Sequence, residues 1–133
     1  MTILVTGASG FVGSAIVRHL LSQEHNVRVL LRAESPPDNL AGLDVQRVIG
    51  DLTDTASLKA ATKGCSSLIH SAADYRLWAA DPEPMYAANV RGTENIMRAA
   101  LDADIERIVY TSSVATLGLC TDGIAAVESR PSS

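Results

Sequence analysis

An apolar run, Ile3-Leu4-Val5, breaks into Thr6-Gly7-Ala8-Ser9-Gly10-Phe11-Val12-Gly13, and this transition constrains the fold more than any other stretch of the chain. The apolar run suits a buried strand. The glycine-rich turn that follows opens a segment in which Phe11, Val12, Ile16, Val17, Leu20 and Leu21 recur at helical spacing. Strand, tight glycine turn and helix in that order form the geometry of a dinucleotide site. Gly7 allows a sharp turn after the strand, Gly10 allows the backbone to approach a pyrophosphate, and Gly13 allows close packing of helix on strand. The helix start then presents unpaired N–H groups and partial positive charge to phosphates. The plainer alternative is a turn that only joins two elements. The extreme N-terminal position and the strand-before-helix context favour the binding reading.

The remaining apolar runs extend the pattern. Segments suited to buried parallel strands recur at Ile3–Thr6, Val27–Leu31, Val45–Ile49, Ser67–Ser71 and Arg107–Thr111. Between them, helical spacing marks Phe11–Ser22, a short helix capped by Thr53 or Asp54 that stops near Lys63 at Gly64, and a long helix from Asp81 to Ala103. Asp81 reads as the N-cap of the long helix, with Pro82 in its first position. Met85, Thr93, Ile96, Met97 and Ala100 read as its apolar face. Ala33–Leu43, with its Pro, Asp and Gly, has room for a helical turn at most. Strands alternating with helices predict an α/β fold of Rossmann type, with a doubly wound parallel sheet of about five strands and a cofactor crevice at the strands' C-terminal ends. Residues 1–118 are expected to form the nucleotide-binding domain, and residues 119–133 a polar tail.

Charge and cysteines narrow the partners. At 133 residues with 47% hydrophobic content, the chain suits one globular core. Its net charge of −4 and its lack of a basic run argue against nucleic acid and anionic membrane as partners. Cys65 and Cys120 fit no metal-ligand spacing, so no metal is expected; they read as reduced thiols of a cytoplasmic protein, with Cys65 buried. The first residues have no charged region before an apolar core, so no secretory signal is expected. No stretch has the length of a membrane span.

Each strand end carries a residue with chemistry. Arg32 follows the second strand, roughly 20 residues past the turn, where a carboxylate would hold the ribose 2′-hydroxyl of NAD. An arginine there suits a 2′-phosphate, so NADP is the expected cofactor and NAD the alternative. Asp51 and Leu52 follow the third strand, placed to receive the adenine amino group and to pack on its ring; Asp51 could instead help cap the next helix. His70-Ser71-Ala72-Ala73 closes the fourth strand with small residues that let the backbone lie against a cofactor. His70 itself reads as a packed, hydrogen-bonded imidazole rather than a catalyst. The loop Asp74–Trp78 comes next and is expected to lie over the crevice, the alternative being that Trp78 anchors it by packing on the long helix. Asn89 interrupts the apolar face of the long helix and, if buried, must find partners. Gly92 beside it costs about 1 kcal/mol relative to alanine, which implies that something packs close there. Thr111-Ser112-Ser113 follows the fifth strand and could hydrogen-bond a substrate oxygen, or simply satisfy its own turn.

In combination these motifs resemble the extended short-chain dehydrogenase/reductase superfamily. The glycine turn, Asp51-Leu52, the HxAA strand end, the Asn89-Val90-x-Gly92-Thr93 segment and Thr111-Ser112-Ser113 stand in that superfamily's order and spacing, up to about Gly118. Within it, Asp74-Tyr75-Arg76-Leu77-Trp78 and Ser112–Gly118 are similar to bacterial hopanoid-associated sugar epimerases, a group itself similar to dihydroflavonol 4-reductases. The resemblance implies hydride chemistry, as oxidoreductase or isomerase. It implies a nicotinamide cofactor held by Gly7, Ser9, Gly10, Phe11, Val12, Gly13, Arg32, Asp51, Leu52, Ser71, Ala72, Ala73, Asn89 and Thr111, with Ser113 as the catalytic serine. It also implies dimerisation of the complete enzyme through the long helix.

The chain departs from that pattern at one point. The superfamily's acid–base tyrosine stands four residues before a lysine, after the serine. Here tyrosine occurs only at 75, 86 and 110, and lysine only at 59 and 63. The expectation is therefore a dinucleotide-binding portion that does not turn over substrate, taken from an enzyme acting on a nucleotide-linked sugar. The alternatives are a carbonyl reductase of dihydroflavonol-reductase type and a short non-catalytic nucleotide-binding module.

Overall fold

The computed structural model describes residues 1–130; positions 131–133 of the expected tail lie outside the described residues. Among the described residues five strands form one parallel sheet: β1 (Thr2–Thr6), β2 (Asn26–Leu31), β3 (Gln46–Ile49), β4 (Cys65–His70) and β5 (Arg107–Tyr110), in the order β3-β2-β1-β4-β5. The order reverses after β3, so β4 enters on the far side of β1. Such a switch point, here at the C-terminal ends of β1 and β4, is where open α/β sheets take their ligands. Register places Thr6 opposite both Leu30 and His70, and His70 opposite Tyr110, so four strand ends meet in one row.

Burial of both sheet faces explains why the strands read as continuous apolar runs. Leu4, Leu30 and Leu68 point to one face and meet Leu58, Ala61, Ile96 and Ala100 from the helices. Val5, Val27 and Val29 point to the other and meet Ala8, Val17 and Leu40. Adjacent residues of β1 thus serve opposite layers, as the two-residue strand period requires.

Helix α1 (Phe11–Ser22) occupies the expected span and has no side-chain cap at its N-terminus. Helix α2 (Thr55–Thr62) is capped by Asp54, whose carboxylate accepts the N–H groups of Ala56 and Ser57, and it ends at Gly64 with φ of +74°. The loop after β2 contains a single 3₁₀ turn, Asp38–Leu40.

The long helix differs from the expectation. It begins as α3 (Glu83–Tyr86), passes through a π-helical segment, Ala87–Arg91, and continues as α4 (Gly92–Asp102). Pro82 takes the cap position, and the Asp81 carboxylate accepts the Glu83 N–H at 3.0 Å, so Asp81 still closes the first turn from one residue further out. β4 and β5 each stop one residue short of the expected ends, although Thr111 N–H still donates to the His70 carbonyl.

Candidate functional site

The glycine turn is held by backbone packing that side chains would destroy. Gly7 has φ of +69°, and a Cβ on it would lie 2.7 Å from the Ala72 nitrogen. A Cβ on Gly13 would sit inside the carbonyl of Gly7. Gly7 makes the sharp turn expected of it and also faces the backbone after β4, and Gly13 lets α1 press close, with its contacts falling on the turn at Gly7 and Ala8. Gly10 is exposed and would carry a methyl with only the Gly7 oxygen near it, at 3.3 Å. Nothing in the packing requires glycine there, which leaves the open face of the turn free for a ligand. Phe11 is 88% exposed and Val12 53%, at the uncapped start of α1.

Beneath this turn lies a buried polar network. His70 is fully buried between Thr6 and Thr93, with Nδ1 2.6 Å from the Thr6 hydroxyl and Nε2 3.0 Å from that of Thr93. Thr6 Oγ1 already accepts the Ala72 N–H at 3.3 Å, so its own proton points to Nδ1. The imidazole then donates from Nε2 to Thr93. Desolvation by burial lowers its pKa to about 4, which keeps it neutral near pH 7. Tyr110 stacks on the ring, centroids 5.4 Å apart. His70 is thus the packed imidazole that its strand-end position suggested; Thr93, one helix away, was not foreseen as its partner. Ser71 donates to the Thr6 carbonyl at 2.8 Å, stitching β4 to β1 at the same level.

The other candidates line the rim. Arg32 is exposed and pairs with Glu34 at 3.4 Å. Asp51 accepts the backbone N–H and hydroxyl of Thr53, both on one oxygen, at 2.8 and 2.7 Å. Those bonds hold its carboxyl below the usual range, with a smaller contribution from the charge of Arg32. The Arg76 side chain bonded to Asp74 holds that carboxyl below the usual range, with the least contribution from the charge of Arg32. Leu52 lies against Gly92, where a Cβ would come within 2.8 Å of its own Cβ; this is the close packing that the helical glycine implied. Asn89 uses its amide twice, accepting the Asp74 N–H and donating to the Asp74 carbonyl, each at 2.7 Å. It fixes the strand-end loop. Ser9 binds the network from the other side, its carbonyl accepting the Asn39 amide at 2.8 Å.

Two readings are corrected by this geometry. Trp78 does not anchor its loop on the long helix; it is 78% exposed. The long helix is not regular, because the π-helical segment adds a residue to one turn and so swings Asn89 out to Asp74. Ser113 is exposed, and its hydroxyl accepts the Ala115 N–H at 3.1 Å, closing the 3₁₀ turn Val114–Thr116. Thr111 and Ala73 are exposed at the same strand ends. Among the described residues no cluster of His, Cys, Asp or Glu could hold a metal ion. The concave surfaces elsewhere, around Met1 and His25 and along α2 and α4 near Lys59 and Arg98, do not touch the glycine turn.

A crevice at a parallel-sheet switch point, floored by a glycine turn and an uncapped helix, has counterparts in known proteins. The profile of the NAD dependent epimerase/dehydratase family matches residues 3–132. The chain belongs to that family. A putative dihydroflavonol 4-reductase of Synechocystis sp. is 52% identical over 128 residues, covering 96% of this chain and 37% of its own length. Among solved structures, gox2253 superposes with a TM-score of 0.92 at 52% identity, covering 99% of this chain and 40% of that one. The UDP-glucose 4-epimerase of Thermus thermophilus, solved as a complex with NAD, superposes with a TM-score of 0.83 at 28% identity, covering 100% of this chain and 44% of its own. The chain therefore spans less than half the length of the relatives that it matches. As an epimerase/dehydratase family member it carries a Rossmann-like parallel sheet, and no described helix is long and apolar enough to cross a membrane.

Proposed function

We propose that this chain is the dinucleotide-binding portion of an oxidoreductase that passes a hydride between a nicotinamide and a carbinol or carbonyl carbon of a small molecule. That step is common to nucleotide-sugar epimerases or dehydratases and to carbonyl reductases, the two activities that the relatives' names suggest. The observation that carries the reading is the exposed Gly10–Phe11 start of α1, which has no side-chain cap and no acidic residue in its first turn. The Gly10 N–H donates to the Gly7 carbonyl at 3.1 Å, whereas the N–H groups that follow it at the helix start have no side-chain acceptor, and a pyrophosphate supplies one.

The residues fit such a cofactor. Gly7, Ser9, Gly10, Phe11, Val12 and Gly13 would receive the pyrophosphate. Asp51 keeps one carboxylate oxygen outside its bonds to Thr53, available to the adenine amino group, with Leu52 beside it. Ser71, Ala72 and Ala73 would border a nicotinamide with small side chains, Thr111 and Asn89 would lie beside it, and Ser113 would orient a substrate oxygen once its turn opens. The bound nicotinamide supplies hydride transfer; this chain's residues bind, orient and screen it from water. Arg32 favours NADP, because its partner Glu34 is 69% exposed and such a pair contributes little against a phosphate. A cytoplasmic location and dimerisation of a longer protein accord with this reading.

Calorimetric titration of the chain with each cofactor tests it. Both are expected to bind, NADP⁺ about tenfold or more tightly than NAD⁺, and Arg32→Ala is expected to erase the difference. Equal affinities in the unmodified chain would remove the assignment to Arg32. Absence of binding by both would remove the proposal.

A further inference from the structure

Thr53 and Asp54 were both candidates to cap α2, and the cap falls to Asp54, whose carboxylate accepts the Ala56 and Ser57 N–H groups at 3.1 and 3.4 Å. The exposed Thr53 side chain turns back instead. Its backbone N–H and its hydroxyl both donate to Oδ1 of Asp51, at 2.8 and 2.7 Å. These two bonds, the backbone one first, hold the Asp51 carboxyl below the usual range, so it stays an acceptor.

The main chain beneath that carboxylate is pinned by two helices. The Asp54 N–H donates to the Asp51 carbonyl at 2.9 Å and closes the turn. The Asp51 N–H donates to the Ser57 hydroxyl of α2 at 3.1 Å. The Asn95 amide of α4 donates to the Leu52 carbonyl at 2.9 Å, and Leu52 packs against Gly92 of the same helix. With the backbone fixed, the freedom left to Asp51 is rotation of its side chain. A carboxylate that turns freely offers either oxygen in many directions. One whose Oδ1 carries two donors offers Oδ2 in one direction, and orientation fixed beforehand lowers the entropy lost on binding.

Resting on the function proposed above, we infer that Thr53 is a positioning residue for base recognition: its hydroxyl aims the Asp51 carboxylate at the exocyclic amino group of adenine and so lets the chain tell an adenine dinucleotide from its hypoxanthine analogue. Hypoxanthine carries a carbonyl oxygen where adenine carries the amino group, so an aimed carboxylate meets an acceptor instead of a donor. A carboxylate free to turn can move off that oxygen toward the ring N–H that hypoxanthine carries beside it; an aimed one cannot. The preference between the two bases, rather than affinity alone, therefore depends on Thr53.

The full 133-residue chain is titrated by calorimetry with NADP⁺ and NAD⁺ and with the hypoxanthine analogue of each. The adenine forms are expected to bind about tenfold or more tightly than the hypoxanthine forms. Thr53→Val keeps the backbone N–H and the branched shape but removes the hydroxyl; it is expected to reduce that ratio about threefold or more, and Thr53→Ser to restore it. On an Asp51→Ala background Thr53→Val is expected to leave the ratio where it is, because the hydroxyl acts through the carboxylate. A merely structural role would weaken both forms alike and leave the ratio unchanged, which would overturn the inference. So would a Thr53→Ser variant that fails to restore the ratio, a further fall on the Asp51→Ala background, or thermal melts of Thr53→Val far below those of the unmodified chain. Failure of the unmodified chain to bind any of the four dinucleotides removes this inference together with the function it rests on, whereas equal binding of adenine and hypoxanthine forms removes only this one.

Discussion

His70 shows how a residue can sit at a functional rim and act by staying neutral. Folded, its pKa lies near 4; unfolded, it returns to the ordinary value of about 6.5. Between those values the unfolded chain binds more protons than the folded one, so the stability from the neutral imidazole is complete above pH 6.5 and is lost as pH falls toward 4. The loss over that window is about 3 kcal/mol. Urea midpoints measured from pH 7 to pH 4 should fall accordingly, and His70→Gln should flatten the slope; an equally steep slope in the variant would count against the assignment. The glycines separate packing from binding in the same way. Gly13→Ala drives a methyl into the Gly7 carbonyl and should lower stability by about 1–3 kcal/mol in thermal melts. Gly10→Ala meets only one oxygen at 3.3 Å and should melt close to the unmodified chain while losing dinucleotide affinity by calorimetry. At this scale much was legible, because a strand followed by a glycine turn leaves few arrangements. The Thr6–His70–Thr93 relay was not, because its members are 64 and 23 positions apart and no local pattern links them.

Elements were legible where their ends carry their own chemistry. Asp54 caps α2 and Gly64 ends it, and both are local choices that residue type reveals. The π-helical segment had no comparable mark, since the apolar positions before and after it still fit helical spacing. The available hints were an amide at Asn89 interrupting the apolar face and a glycine three residues later. Their joint meaning appears only in three dimensions: the widened turn brings Asn89 to Asp74, and Gly92 makes room for Leu52. Asn89→Ala removes both partners of the Asp74 backbone and should release the loop that follows. Trp78 fluorescence anisotropy should fall and amide exchange over residues 74–78 should quicken, while α4 from Gly92 onward keeps its protection. Loss of protection throughout α4, or an unchanged anisotropy, would show that the clamp does not govern the loop. The cost, about 1 kcal/mol for losing hydrogen bonds to part-buried backbone groups, should fall on local opening rather than on global unfolding.

On the scale of the whole molecule, alternation of strands with helices implied a parallel, doubly wound sheet, but the strand order β3-β2-β1-β4-β5 depends on contacts between distant residues that no single segment encodes. The order has a consequence at the β5 edge. Among the described residues β5 pairs with β4 on one side only, and Ile108, Val109 and Tyr110 are 42%, 59% and 49% exposed, so both of its faces and its other edge meet solvent. An apolar edge with unpaired N–H and C=O groups is a template for another strand. By contrast, the β3 edge carries two exposed polar residues, Gln46 and Arg47, where β5 has Arg107 alone. The chain should therefore associate through β5, with the apparent mass rising with concentration in sedimentation equilibrium. Val109→Lys, which places a charge on the exposed strand without touching the Leu68 side of the core, should suppress that rise and leave dinucleotide affinity intact. A mass that stays monomeric across the concentration range, or that rises equally in Val109→Lys, would rule out the β5 edge as the contact. The glycine turn stands at the ends of β1 and β4, inside the sheet, so pairing along β5 leaves the cofactor crevice open, and the two measurements on one sample, mass and cofactor affinity, should vary independently.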